Sequence, residues 1–160
     1  MRRQRREAIL NDIIKKIQAK QFEAAHNDCI NLLRADENDP LAYYAMGLIA
    51  YELKNLTRAV ECFERAAKLH GTKAEYWAAF ARTLSVLGQT EDSCWAADKI
   101  DIATVEDAPT ADSAGLVYSR AGRQDKAVPF FRRAVELDHS EASFHFNLAS
   151  SLQFSGHFDE

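Results

Sequence analysis

Apolar and polar positions along the chain repeat with a period of 34 residues, which predicts a series of helical hairpins. A small residue recurs at one position of the period, and a second packing residue follows four positions later. The small residues are Ala25, Ala59, Ser93 and Ala127, and the packing residues are Cys29, Phe63, Ala97 and Phe131. Three residues further on come Leu32, Ala66, Ile100 and Ala134.

Polar or glycine-containing segments interrupt the pattern once in every period and predict the turn between the two helices of each hairpin. These segments are Lys20-Gln21-Phe22, Lys54-Asn55-Leu56, Gly88-Gln89-Thr90, Gly122-Arg123-Gln124 and Gly156-His157-Phe158. A helix that reverses often needs a left-handed residue just past its end, and glycine adopts that conformation without a Cβ clash. The first position of the segment holds glycine in units three to five, whereas Lys20 and Lys54 occupy it in the first two. If the position is left-handed, we expect glycine to suit it at least as well as lysine.

The repeats divide the chain into a single all-α array over residues 1–160. The units are 6–39, 40–73, 74–107, 108–141 and a truncated unit at 142–160. Gly47, Ala81, Gly115 and Ala149 occupy a second small-residue position, where the helices of a hairpin are expected to approach closely. A large side chain there would hold the helix axes beyond the roughly 8–10 Å of packed helices.

The residue types within the period resemble the tetratricopeptide repeat (TPR). Residues 40–73 carry Tyr43, Met46-Gly47, Ala59, Phe63 and Ala66, and the next two units carry Trp77, Leu84, Gly88, Tyr118, Gly122 and Phe131. The first unit is the loosest, with Ile13 and Lys16 where glycine and tyrosine are usual. The resemblance implies a right-handed superhelical α-solenoid of helical hairpins.

Composition and charge narrow the functional classes. The chain has 160 residues, 47% of them hydrophobic, and a formal net charge of −4. It contains no 18-residue apolar run and no secretory signal, so we expect a cytoplasmic protein without a membrane partner. The negative charge argues against a nucleic-acid binder. Four arginines in the first six residues are the exception, either as a solvated, charged first turn or as an arm that binds an anionic partner.

Motifs that carry chemistry are missing from the sequence. Cys29, Cys62 and Cys94 lie one per repeat without metal-ligand spacing, so we expect reduced thiols that pack in the interior. The glycines form no phosphate-binding loop, and no nucleophile elbow or zinc-protease motif occurs. We therefore expect no enzyme activity, no cofactor and no metal in this chain.

Binding is the function that remains, and the TPR resemblance implies that the first helix of each unit lines a concave groove. The predicted partner-binding residues are Tyr44, Leu48, Tyr51, Arg82, Leu116, Arg120 and Phe146. Such a surface suits a protein or peptide partner with apolar anchors and a carboxylate. Alternatively, Tyr44, Leu48 and Tyr51 pack against the chain's own first helix through Leu10, Ile14 and Ile17.

The C-terminal residues suggest a fragment of a longer protein, because the sequence stops where a second helix of the fifth unit would follow. We expect an apolar edge at Leu148 and Leu152, which could form a homodimer. The segment 142–160 also resembles bacterial proteins that fuse TPRs to a sulfotransferase domain. Two hypotheses result: a protein-interaction scaffold, or a docking module of a larger enzyme whose catalytic domain lies beyond Glu160.

Overall fold

The computed structural model describes residues 1–156, which fold into helices connected by short turns, with no strand among them. The helices are α1 (Arg2–Gln18), α2 (Phe22–Ala35), α3 (Pro40–Glu52), α4 (Leu56–Leu69), α5 (Ala74–Val86), α6 (Thr90–Ala97), α7 (Ala108–Arg120), α8 (Gln124–Leu137) and α9 (Ala142–Ser155). A short 3₁₀ helix spans Ile102–Thr104. The chain groups into two compact units, Met1–Gly71 and Thr72–Glu160.

The turn inside each hairpin has a left-handed residue at its first position. The φ angles are 59° at Lys20, 63° at Lys54, 79° at Gly88, 76° at Gly122 and 82° at Gly156. After the first four of these residues, the next residue closes the helix by donating its amide to a carbonyl five residues back, as Asn55 does to Ala50 at 2.9 Å. This pattern is the Schellman motif, which satisfies carbonyls at the helix end. His157 and Phe158, predicted to continue the fifth turn, lie outside the described residues.

Close approach of the two helices in a hairpin depends on the small residues. A Cβ atom at Gly47 would lie 2.4 Å from the ring of Phe63, and one at Gly115 would lie 2.5 Å from the ring of Phe131. Both rings are buried. Ala149, at the same position of the fifth unit, is exposed.

The third hairpin departs from the predicted repeat. Its second helix, α6, has 8 residues, whereas α4 and α8 each have 14. Ile100 was expected to pack from within this helix, and that expectation is wrong: the helix ends at Ala97, although Ile100 is buried. The following β-branched residues disfavour helix, and Asp101 accepts a hydrogen bond from the amide of Ala103, an alternative to helical pairing.

The arginine-rich segment at the start of the chain is helical and forms the first turns of α1. Arg6 pairs with Asp39, whose side chain is buried and also accepts a hydrogen bond from the amide of Leu41 at 2.9 Å. Asp39 therefore caps α3 and attaches α1 to it. At least one of the four arginines has a role in folding, while Arg2, Arg3 and Arg5 are exposed.

We expect Lys54→Gly to leave stability unchanged or to raise it by up to about 1 kcal/mol, because glycine adopts a left-handed conformation without the Cβ clash. Thermal unfolding followed by circular dichroism measures the effect. Gly88→Ala is the matched control at the equivalent turn, where a new Cβ meets no atom within 4 Å. It should lose about 1 kcal/mol through backbone strain alone. A clear drop in melting temperature for Lys54→Gly would contradict this account.

We expect Gly115→Ala to destabilise the protein by about 1–3 kcal/mol, because the new methyl group would overlap the ring of Phe131. The double variant Gly115→Ala/Phe131→Leu removes the overlap. Its loss in stability, measured by urea unfolding, should therefore be smaller than the sum of the two single losses. Strict additivity would show that the two positions do not contact each other.

Candidate functional site

In the unit Met1–Gly71, three predicted partner-binding residues lie on one face of α3. Tyr44, Leu48 and Tyr51 are each half-buried, at the spacings of four and three that align side chains along a helix. The ring of Tyr44 lies 5.8 Å from that of Phe63, centroid to centroid. Leu48 packs against a buried cluster that includes Ile13 and Ile17 of α1. Part of this face thus stabilises the unit itself, which is the alternative that the sequence left open for Leu48.

In the unit Thr72–Glu160, four predicted residues lie on the first helices of successive hairpins. Arg82 is on α5, Leu116 and Arg120 are on α7, and Phe146 is on α9. Helix α5 packs against α7, and α7 contacts α9. Arg82 and Leu116 are half-buried, whereas Arg120 and Phe146 are exposed. The accessible predicted side chains of this unit are therefore concentrated on α7 and α9.

Two parallel rows of side chains run along these helices. Residues four apart lie on the same side of a helix, so Asp112, Leu116 and Arg120 form one row on α7. The equivalent row on α9 consists of Phe146, Ser150 and Phe154. Phe146 is 71% exposed and Phe154 is 78% exposed. The α7 row runs from an acid through an apolar residue to a base, and the α9 row presents two aromatic rings.

A hydrogen bond joins α9 to α7 at the acidic end of the α7 row. Asn147 donates from Nδ2 to Oδ1 of Asp112 over 2.8 Å, linking α9 to α7. Burial raises the pKa of the Asp112 carboxyl, as does the charge of Glu141, while the bond from Asn147 opposes the shift. The pattern of the sequence did not predict this pair. Asn147 follows Asp112 by one period plus one residue, and this spacing is the feature of the sequence that places the two on neighbouring first helices.

A second polar cluster lies where α6 ends early. Tyr118 donates its hydroxyl to Asp98 at 2.6 Å, and Lys126 lies 3.3 Å from the same carboxylate oxygen. Burial opposes ionisation of Asp98, but these two bonds hold the pKa of its carboxyl below the usual range. Burial and the bond to Asp98 raise the pKa of Tyr118. The cluster attaches the end of the short helix to α7 and α8.

The cysteines lie in the interior. Cys29, Cys62 and Cys94 are all buried and free. Burial raises the pKa of the Cys29 thiol to about 12 and also raises that of Cys62. A thiol with a raised pKa is a poor nucleophile at neutral pH. Among residues 1–156, no group of histidine, cysteine and acidic side chains has the geometry to hold a metal ion.

The expected apolar edge differs from the one observed. Leu152 is buried and Leu148 is half-buried, because α9 packs against α8. The strongly exposed apolar residues of α9 are Phe146 and Phe154 instead. No helix within the described part of the chain is long and apolar enough to cross a membrane.

Comparisons with known proteins agree with this architecture. Residues 40–72 and 112–140 each match a model described as tetratricopeptide repeat. A search of curated protein sequences found no match. The two matched segments are TPRs, and the unmatched region between them contains the shortened α6.

Solved structures show that the fold is an all-α TPR solenoid. Pseudomonas aeruginosa PilF superposes with a TM-score of 0.75 at 17% identity, covering 98% of this chain and 76% of that one. MamA from Desulfovibrio magneticus RS-1 superposes with a TM-score of 0.68 at 22% identity, and the match covers 96% of this chain and 86% of MamA. YrrB is described as a TPR protein with an unusual peptide-binding site. It superposes with a TM-score of 0.66 at 17% identity, and the match covers 94% of this chain and 78% of YrrB.

We expect Asp112→Asn to match or exceed the wild-type melting temperature at pH 7. The folded-state pKa of Asp112 is raised, so its contribution to stability falls as the pH rises through the unfolded and then the folded pKa. Asparagine keeps an acceptor for Asn147 without the charge. The difference from wild type should disappear at a pH below the carboxyl's unfolded pKa.

Asp138→Asn is the control, because the pKa of Asp138 is shifted in the opposite direction to that of Asp112. Hydrogen bonds from Ser140 lower the pKa of Asp138, so that carboxylate stabilises the fold above its unfolded pKa and loses this effect in acid. The control should therefore lower the melting temperature at pH 7. Equal responses of the two variants across the pH range would contradict the assignment.

Proposed function

We propose that this chain is a protein-interaction scaffold that binds a peptide or an extended segment of a partner protein along its first helices, without catalysis of its own. The observation that carries the proposal is the exposure of Phe146 and Phe154 on α9, at 71% and 78%. Large aromatic side chains are seldom left in water without a reason, and they are typical anchors of protein interfaces.

The neighbouring row on α7 supplies the complementary chemistry. Leu116 is half-buried between the two ends of the row, and Arg120 is exposed in the last turn of the helix. A guanidinium group recognises a carboxylate through two parallel hydrogen bonds. Together with Arg82 on α5, this arrangement favours a ligand that has apolar side chains and a carboxylate.

The unit Met1–Gly71 contributes a second surface to the proposal. Tyr44 and Tyr51 are half-buried on α3, so part of each ring is accessible. Leu48 contributes less, because it packs against the core of its own unit. The TPRs support an interaction role. YrrB, which has a similar fold, is described as having a peptide-binding site.

The proposal includes a cytoplasmic location and a protein partner, with neither nucleic acid nor membrane bound. Self-association through the C-terminal edge would use Ala149 and Leu148, since Leu152 is buried. The alternative function, a docking module of a larger enzyme such as a bacterial sulfotransferase, would use the same surface. No contact within residues 1–156 favours it over the scaffold.

We expect the double charge reversal Arg82→Glu/Arg120→Glu to weaken binding of carboxylate-bearing peptides by at least about tenfold, because like charges would then face each other. The probes are synthetic peptides selected from a random display library on the wild-type chain, and fluorescence polarisation measures their affinity. Phe146→Ala should weaken the same peptides through loss of the aromatic anchor.

The matched control is Arg58→Glu/Lys68→Glu, which changes the net charge equally but on exposed positions of α4, a second helix. It should leave affinity within about twofold of wild type. If the control and the Arg82/Arg120 variant weaken binding equally, the effect is only of net charge. If neither weakens it, the binding site lies elsewhere, on the second helices or at the arginine-rich start.

A further inference from the structure

The half-buried carboxylate of Asp112 has a single hydrogen-bond partner within the described part of the chain, the amide of Asn147. That bond uses one of the two carboxylate oxygens. The charge of Glu141, which is also negative, disfavours ionisation of the group. Desolvated carboxylates are normally paired with a cation or satisfied by several donors. Asp112 is half-buried, so its second oxygen remains accessible to a donor from a ligand.

The surroundings of Asp112 provide a place for such a cation. Phe146 precedes Asn147 in the sequence, so an exposed aromatic ring lies next to the residue that anchors Asp112. A lysine or arginine side chain can lay its apolar stem on an aromatic ring and direct its charge to a nearby carboxylate. Both features belong to the rows of α7 and α9 that the proposed function assigns to peptide binding.

We infer that the partner peptide presents a lysine or arginine side chain to Asp112, with the stem of that side chain against Phe146. This inference rests on the proposed function and specifies the ligand further. Arg120 lies eight residues along α7 from Asp112, a rise of about 12 Å at 1.5 Å per residue. An extended peptide covers that distance in about three to four residues. The ligand is therefore bipolar, with a cation at one end, an apolar middle over Leu116 and a carboxylate at Arg120.

Display selection tests the inference without knowledge of the natural partner. A random peptide library is selected on the intact wild-type chain and, in parallel, on the Asp112→Asn variant. Peptides from the wild type should carry lysine or arginine at one position, with an acidic residue or the C-terminus about three to four residues away. The enrichment of the cation should disappear on Asp112→Asn, which keeps an acceptor for Asn147.

Affinities of a matched peptide pair then isolate the contact. The first peptide is the best wild-type binder, and the second has its cationic residue replaced by methionine. The replacement should cost about tenfold in affinity on the wild type and less than about twofold on Asp112→Asn, because the charge-assisted hydrogen bond is present only in the first case. Asp112→Lys paired with a glutamate-substituted peptide should recover part of the lost affinity.

The outcomes separate this inference from the function on which it rests. Peptides that bind, weaken with Arg82→Glu/Arg120→Glu, and show no preference for a cation would overturn the inference and leave the scaffold function in place. An equal loss for both members of the peptide pair on Asp112→Asn would overturn it as well. A library that yields no peptide sensitive to the first-helix variants would overturn both.

Discussion

The architecture depends on the contact between a backbone position without a side chain and a buried phenylalanine ring. At Gly47 and Gly115 the ring of Phe63 or Phe131 lies closer than any Cβ would tolerate. This contact sets the distance between the two helices of a hairpin, which in turn determines where their outer faces lie. Exposed residues on those faces, such as Arg120 and Phe146, contribute little to the packing, whereas half-buried ones such as Leu48 are part of it.

The third hairpin, which contains α6, completes its packing with residues that follow its second helix. The helix α6 has about half the usual length, so it cannot supply the apolar residues that a full second helix would. Ile100 and Val105 come from the following irregular segment and are buried. The bonds of Asp98 with Tyr118 and Lys126 hold the end of the short helix against the next hairpin. Polar attachment here compensates for helical packing that is lost.

The candidate site combines exposure and burial in a way that stability alone does not explain. Phe146 and Phe154 leave aromatic surface in water, and burial raises the pKa of the half-buried Asp112 carboxyl. Both features lie on neighbouring rows of the same two helices. In the proposed complex, the ligand covers the rings and pairs with the carboxylate. By contrast, Asp39 is buried but has Arg6 and the start of α3 as partners, which suits a structural role.

The sequence by itself determined the period, the hairpin turns and the small residues at the helix contacts, because these depend on local backbone conformation and on side-chain size at fixed spacing. Left-handed residues occur at these turns even where lysine replaces glycine, at Lys20 and Lys54. Only the tertiary structure decided how far Leu48 and Leu152 are covered, and the bond between Asp112 and Asn147. Those features arise from contacts between residues on different helices, and the repeat pattern does not specify how much of each side chain its neighbours cover.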